Sequence, residues 1–223
     1  MDKEQIQEAL TKAKDSSNKR NFKQSYDLII NLKGLDAKKQ EHQIDIFITM
    51  PHLRGKKVKV CALVGPELES QAKGVCDSLI SLDNFDRYKD KKELKKIADS
   101  FDFFIAQANI MPKVATVFGR VFGPRGRMPN PKSGCVVPPN ANLKPLYEKL
   151  QRTVRATVKS APIIQCGIGT EDMDLSEITD NALSVYNSLL NALPNEKHNI
   201  KDAYVKLTMG KPIKLGEKED AEK

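Results

Sequence analysis

The side chains able to do chemistry in this chain are few and scattered. Its histidines are His42, His52 and His198, and its cysteines are Cys61, Cys76, Cys135 and Cys166. No CxxC or Cys/His spacing builds a zinc site or a disulfide framework, and no histidine sits in a recognisable nucleophile arrangement. The acids Asp172 and Asp174 read as the solvated start of a helix. Gly65-Pro66-Glu67-Leu68-Glu69 follows an apolar strand, where a dinucleotide fold would carry GxGxxG. A proline and two carboxylates there would repel a pyrophosphate rather than seat it at a helix N-terminus. Lys132-Ser133 lacks the upstream glycine of a GxxxxGK[ST] loop. No cofactor and no catalysis are expected. The alternative is an α/β nucleotide-dependent enzyme with a basic surface.

Two segments suit a polyanion better. Phe122 to Gly134, FGPRGRMPNPKSG, holds six Gly or Pro among thirteen residues, with Arg125, Arg127 and Lys132 and no acid. Proline fixes its own φ and biases the residue before it toward extended backbone. Such a loop is either a rigid surface crossover or an element held close to a polyanion. The second segment, Thr208-Met209-Gly210-Lys211-Pro212, ends the last strand with a hydroxyl, a thioether, a glycine and a cation. Thr208 could bond a 2′-OH or phosphate, Met209 could pack on a ribose or base, and Gly210 could let a sugar-phosphate backbone approach. Phe22, within Arg20-Asn21-Phe22-Lys23-Gln24-Ser25, is a core anchor or a stacking side chain.

Hydrophobic periodicity supplies the elements that must position these residues. Ile6, Leu10 and Ala13 predict an N-terminal helix. Strands follow at Ser25–Leu32 and Ile44–Met50, joined as a hairpin or through a short excursion. The apolar run 58–64 predicts a parallel strand buried on both faces. Helices at 67–76, 90–100 and about 109–119 then alternate with strands near 79–82 and at 102–106, which implies βαβ units. After a helix near 143–151 the pattern returns to antiparallel type, with strands at 153–158 and 162–168. A helix over 175–193, capped by Asp174 or Ser176, precedes a final strand Ala203–Met209.

This order predicts two domains. A discontinuous α+β domain takes residues 1–58 and 152–215, since each piece alone is marginal on burial grounds. An α/β domain, 59–151, is inserted, and 216–223 is a charged, disordered tail. The net charge of +8 and the pI near 9.2 suggest nucleic acid as partner. Residues 1–58 carry +4, residues 59–151 carry +5 and residues 152–223 carry −1. The absence of any long apolar stretch argues against a membrane partner and for a soluble cytoplasmic protein.

Taken together, GPRGRMPNPK (123–132), Pro51-His52 with Arg54-Gly55-Lys56, and VKLTMGKP (205–212) resemble the L-one family of large-subunit ribosomal proteins, in its archaeal branch. The resemblance covers essentially the whole chain. It implies a Rossmann-like domain inserted through a hinge into a domain formed by both chain ends, in a protein that is monomeric when free. It also implies a terminal domain that binds large-subunit rRNA, forming a mobile stalk that helps release tRNA at the exit site. Repression of its own mRNA is implied as well. The family's RNA surface falls on Phe22, Ser25, Thr208, Met209 and Gly210, with Lys206, Lys211 and Lys214 supplying field. Arg125, Arg127 and Lys132 would make secondary contacts to rRNA or tRNA. Asn21, Gln165 and Asp202 stand where the bacterial pattern has Lys, His and a hydroxyl.

Overall fold

A computed structural model of the chain describes residues 2–35, 43–88, 90–158 and 161–216. The chain folds as two compact units, Met1–Lys56 with Arg152–Lys223, and Lys57–Gln151. The expected tail from 217 onward and His42 lie outside the described residues.

The first unit is built on strand β1, Ser25–Leu32, whose residues alternate between half-buried and buried. Tyr26, Leu28, Ile30 and Leu32 face the core, as a two-residue period requires. β1 pairs antiparallel with β8 (Ile163–Thr170) on one side and with β9 (Ile200–Leu207) on the other. The short β10 (Ile213–Lys214) extends the sheet beyond β9. Helices α1 (Lys3–Asp15) and α6 (Leu175–Ala192) place Ile6, Leu10, Ile178, Val185 and Leu189 in the same core. Of the two connections expected between the first two strands, the hairpin is not formed: β2 (Asp45–Thr49) pairs with β7 (Thr153–Thr157) in a separate ribbon. Asp174 occupies the N-cap of α6 with extended backbone, but neither it nor Ser176 caps the helix through a side-chain hydrogen bond.

The second unit is a parallel sheet in the order β4-β3-β5-β6. Its strands are β3 (Val60–Val64), β4 (Ser78–Ser81), β5 (Phe103–Gln107) and the two-residue β6 (Val136–Val137). Every residue of β3 is buried, because both faces are covered. Val60, Ala62 and Val64 pack with Leu68 and Ala72 of α2 (Pro66–Val75) and with Leu143 and Leu150 of α5 (Leu143–Gln151). Cys61 and Leu63 join the opposite layer, made by α3 (Lys91–Ser100) and α4 (Met111–Arg125).

α4 corrects the sequence reading. It runs to Arg125 and so takes the first four residues of the segment expected to be a loop. Phe122 is the reason: it is fully buried, its ring 4.4 Å from Phe104 and 5.2 Å from Phe118. Burying a side chain of this size is worth about 1.5–3 kcal/mol, enough to hold a last turn that contains Gly123 and Pro124. The helix stops at Gly126, whose φ of 66° is left-handed, and the Arg127 N–H returns to the Phe122 carbonyl at 2.9 Å. The final strand also differs, spanning Ile200–Leu207, because the Gly210 N–H bonds the Leu207 carbonyl at 2.9 Å and turns the chain there.

Phe122→Ala should lower the unfolding free energy by about 3–5 kcal/mol through loss of packing, whereas Gly126→Ala should cost about 1–2 kcal/mol through left-handed backbone strain. Urea unfolding of the two variants measures both.

Candidate nucleic-acid interface

The end of the β1–β9 seam brings Thr208-Met209-Gly210, one of the two segments expected to suit a polyanion, beside the stretch that carries Phe22 and Ser25; the other, Phe122–Gly134, belongs to the second unit. The Thr208 N–H donates to the Ser25 carbonyl at 3.0 Å, and the Ser25 N–H donates to Thr208 Oγ1 at 3.0 Å. The hydroxyl of Thr208 also reaches back to the Ser25 carbonyl at 3.3 Å. Thr208 is therefore first a latch between strands. It keeps a lone pair for a ligand, while its proton is shared with the protein.

Gln24 was not singled out by sequence reasoning, yet it organises the turn. Its side chain is 1% exposed; Oε1 accepts the Met209 N–H at 3.1 Å and Nε2 donates to Ser17 Oγ at 3.3 Å. Its carbonyl accepts the Glu171 N–H at 3.0 Å. A polar side chain buried in a basic, polar stretch was the only signal, and such residues are ordinarily exposed. Around this frame, Phe22 is 51% and Met209 59% exposed, two of the few large apolar side chains facing solvent among the described residues. Gly210 has little spare room, since a Cβ there would meet Leu207 Cβ at 3.2 Å.

The neighbouring cations are partly engaged. Lys206 Nζ donates to the Thr208 carbonyl at 3.0 Å, and Lys214 pairs with Asp202 at 3.4 Å. Lys23 pairs with Asp172, whose carboxylate raises the lysine pKa. Lys211 is exposed. Lys206 also stands opposite Asp27 in the sheet register. Burial pushes the Asp27 carboxyl pKa up, while Lys206 and Arg54 pull it down.

The second unit treats its own candidates differently. Arg125 bonds Asp99 at 3.1 Å, and Arg127 donates to the Asp102 carbonyl at 2.6 Å. Both arginines are thereby tied to their own domain. The Lys132 N–H bonds Asn130 Oδ1 at 2.9 Å, fixing the turn that leads into β6, while its side chain is exposed. These three residues belong to a unit distinct from the one that carries Thr208.

A family model described as the ribosomal protein L1p/L10e family matches residues 10–211. The chain belongs to that family. The large ribosomal subunit protein uL1 of Methanocaldococcus jannaschii is 39% identical over the whole of both chains. The uL1 proteins of Methanothermobacter thermautotrophicus and Thermococcus kodakarensis are 39% and 37% identical, over 95% and 96% of this chain and 99% and 98% of theirs. Membership of the L1 family, in its archaeal form, makes this a ribosomal protein rather than an enzyme.

Strand order reverses between β3 and β5, where open α/β folds bind ligands. In this L1 protein the place is filled by Gln107, which is fully buried. Its Oε1 accepts the Gly65 N–H at 2.9 Å, and its Nε2 donates to Glu67 at 2.6 Å. The helix N-terminus thus spends its first donor on a protein amide. Cys61, Cys135 and Cys166 are buried core groups and Cys76 is half-buried; burial pushes the Cys61 thiol up to about 12 and Cys166 up to about 11.

Gln24→Ala should lower stability by about 1–3 kcal/mol, because the Met209 N–H and the Ser17 hydroxyl each lose a partner. Urea unfolding gives the loss, and amide exchange at Met209 should quicken with it.

Proposed function

We propose that this protein is a structural constituent of the large ribosomal subunit in the cytoplasm, and that its first unit binds a folded segment of large-subunit rRNA by shape. The observation that carries the proposal is the half-exposure of Phe22 and Met209 on the two segments that the Ser25–Thr208 and Gln24–Met209 bonds hold together. Apolar side chains carried on a hydrogen-bonded frame can pack against ribose and base faces, and Thr208, Ser25 and the backbone of Gly210 offer polar contacts beside them. Lys206 and Lys211 add field. The segment so bound would form the mobile stalk beside the tRNA exit site and assist release of deacylated tRNA. The same frame would accept a similar fold in the protein's own mRNA and repress its translation. Arg125, Arg127 and Lys132 would add secondary contacts from the second unit.

Met209→Ala and Phe22→Ala should each weaken binding of an rRNA stalk fragment by about 1–3 kcal/mol, the worth of one stacking or packing side chain on RNA. Both variants should keep the wild-type unfolding midpoint. Affinity should fall as salt rises, because binding releases counterions. Filter-binding titrations at two salt concentrations measure these effects, and unchanged affinity in both variants excludes this surface.

A further inference from the structure

The second unit carries a groove that the rRNA interface does not use. It lies between the 3-10 turn Leu82–Arg87 and helices α3 and α4, with a volume of about 300 Å³. That is the lower end of the roughly 300–1,000 Å³ typical of small-ligand sites. Its floor is apolar, including Val117 and the ring of Tyr88, which leans on Phe118 at 6.0 Å. Lys91 and Arg120 line the groove, and both are exposed. Neither has an ion-pair partner among the described residues. Arg87, Lys92, Lys95 and Lys96 are also exposed on the same elements. One carboxylate, Asp86, lines the groove as well.

We propose that this groove takes one unstacked nucleotide of single-stranded RNA, its base packed on Tyr88 and Val117 and its phosphates held by Lys91 and Arg120. Charge decides the class of occupant. A flat aromatic and aliphatic floor beside unpaired cations fits a base joined to phosphate. Asp86 then separates this occupant from an acidic peptide. A carboxylate accepts from the exocyclic amine of cytosine or adenine, a donor that the side-chain carboxylates of an acidic peptide lack. The site lies within the second unit alone and does not require the Phe22–Met209 surface.

The test uses the full chain and a short fluorescein-labelled oligocytidylate, read by anisotropy at low salt. Lys91→Glu with Arg120→Glu should weaken binding about tenfold or more, as loss and reversal of phosphate contacts predict. Thr116→Trp, which fills the groove from an exposed position on α4, should weaken it about fivefold. Asp86→Ala should also weaken it. Circular dichroism melts report whether each variant is folded. An unchanged affinity in folded Thr116→Trp and in the double variant overturns the proposal. Tighter binding by Asp86→Ala overturns it in favour of a purely anionic partner. Thr116→Trp separates the two sites: it should leave stalk-fragment affinity within about twofold, because the first-unit surface lacks that residue. Failure of Met209→Ala to affect the stalk fragment would sink the first-unit interface and leave the groove standing.

Discussion

The first unit depends on a central strand whose two neighbours are both made much later in the chain. β1 lies between β8 and β9, and the Ser25–Thr208 bond joins positions 183 residues apart. Closing so long a connection costs little more than closing a shorter one, since loop entropy grows only logarithmically. The intervening residues also form a core of their own, so the sheet need not wait on a disordered connection. One consequence is functional. The frame that presents Phe22 and Met209 exists only when both chain ends have met, and no short peptide from either end would carry it.

The same seam explains how a surface can be apolar and yet ordered. Met209 and Phe22 face solvent, where apolar side chains gain nothing from burial within the protein. The backbone of Met209 and of the residues next to it is held instead by polar contacts: a buried Gln24 amide under Met209, the Thr208 hydroxyl on Ser25, and Lys206 on the Thr208 carbonyl. A turn fixed in this way gives up little conformational entropy when a partner docks. The engagement of Lys206, Lys214 and Lys23 has a similar effect, holding cations in place at some cost in free charge.

In the second unit, charge and architecture separate. The proline- and glycine-rich signature serves the fold: Phe122 seals the layer against Phe104 and Phe118, and the turn beyond it delivers β6 to the edge of β5. Two of its three cations are bound to acidic or carbonyl groups nearby. The exposed basic surface lies instead on α3, a helix whose KKELKKIADS sequence reads as a merely solvated face. Gln107 occupies the crevice where many relatives of this architecture hold nucleotides, so the layered fold is retained without that ligand site.

Periodicity and local chemistry make part of this fold readable from the residues alone. β1 appears at its full extent among the strand candidates, β3 from its unbroken apolar run, and the mixed fold class from the order of such segments. Phe22, Thr208, Met209 and Gly210 stand out by residue type, and with Ser25 they are the positions on which the family resemblance puts an RNA surface. Tertiary structure decided the rest, because the deciding partners are far apart in the chain. Gln24 becomes a scaffold only when residue 209 returns to it, and Thr208 becomes a latch only beside Ser25. β6 and β10, two residues each, exist only as additions to neighbouring strands. Phe122 extends α4 through a glycine and a proline because the buried layer above β5 outweighs local preference. Local rules count neighbours in sequence, whereas burial and hydrogen-bond satisfaction count neighbours in space.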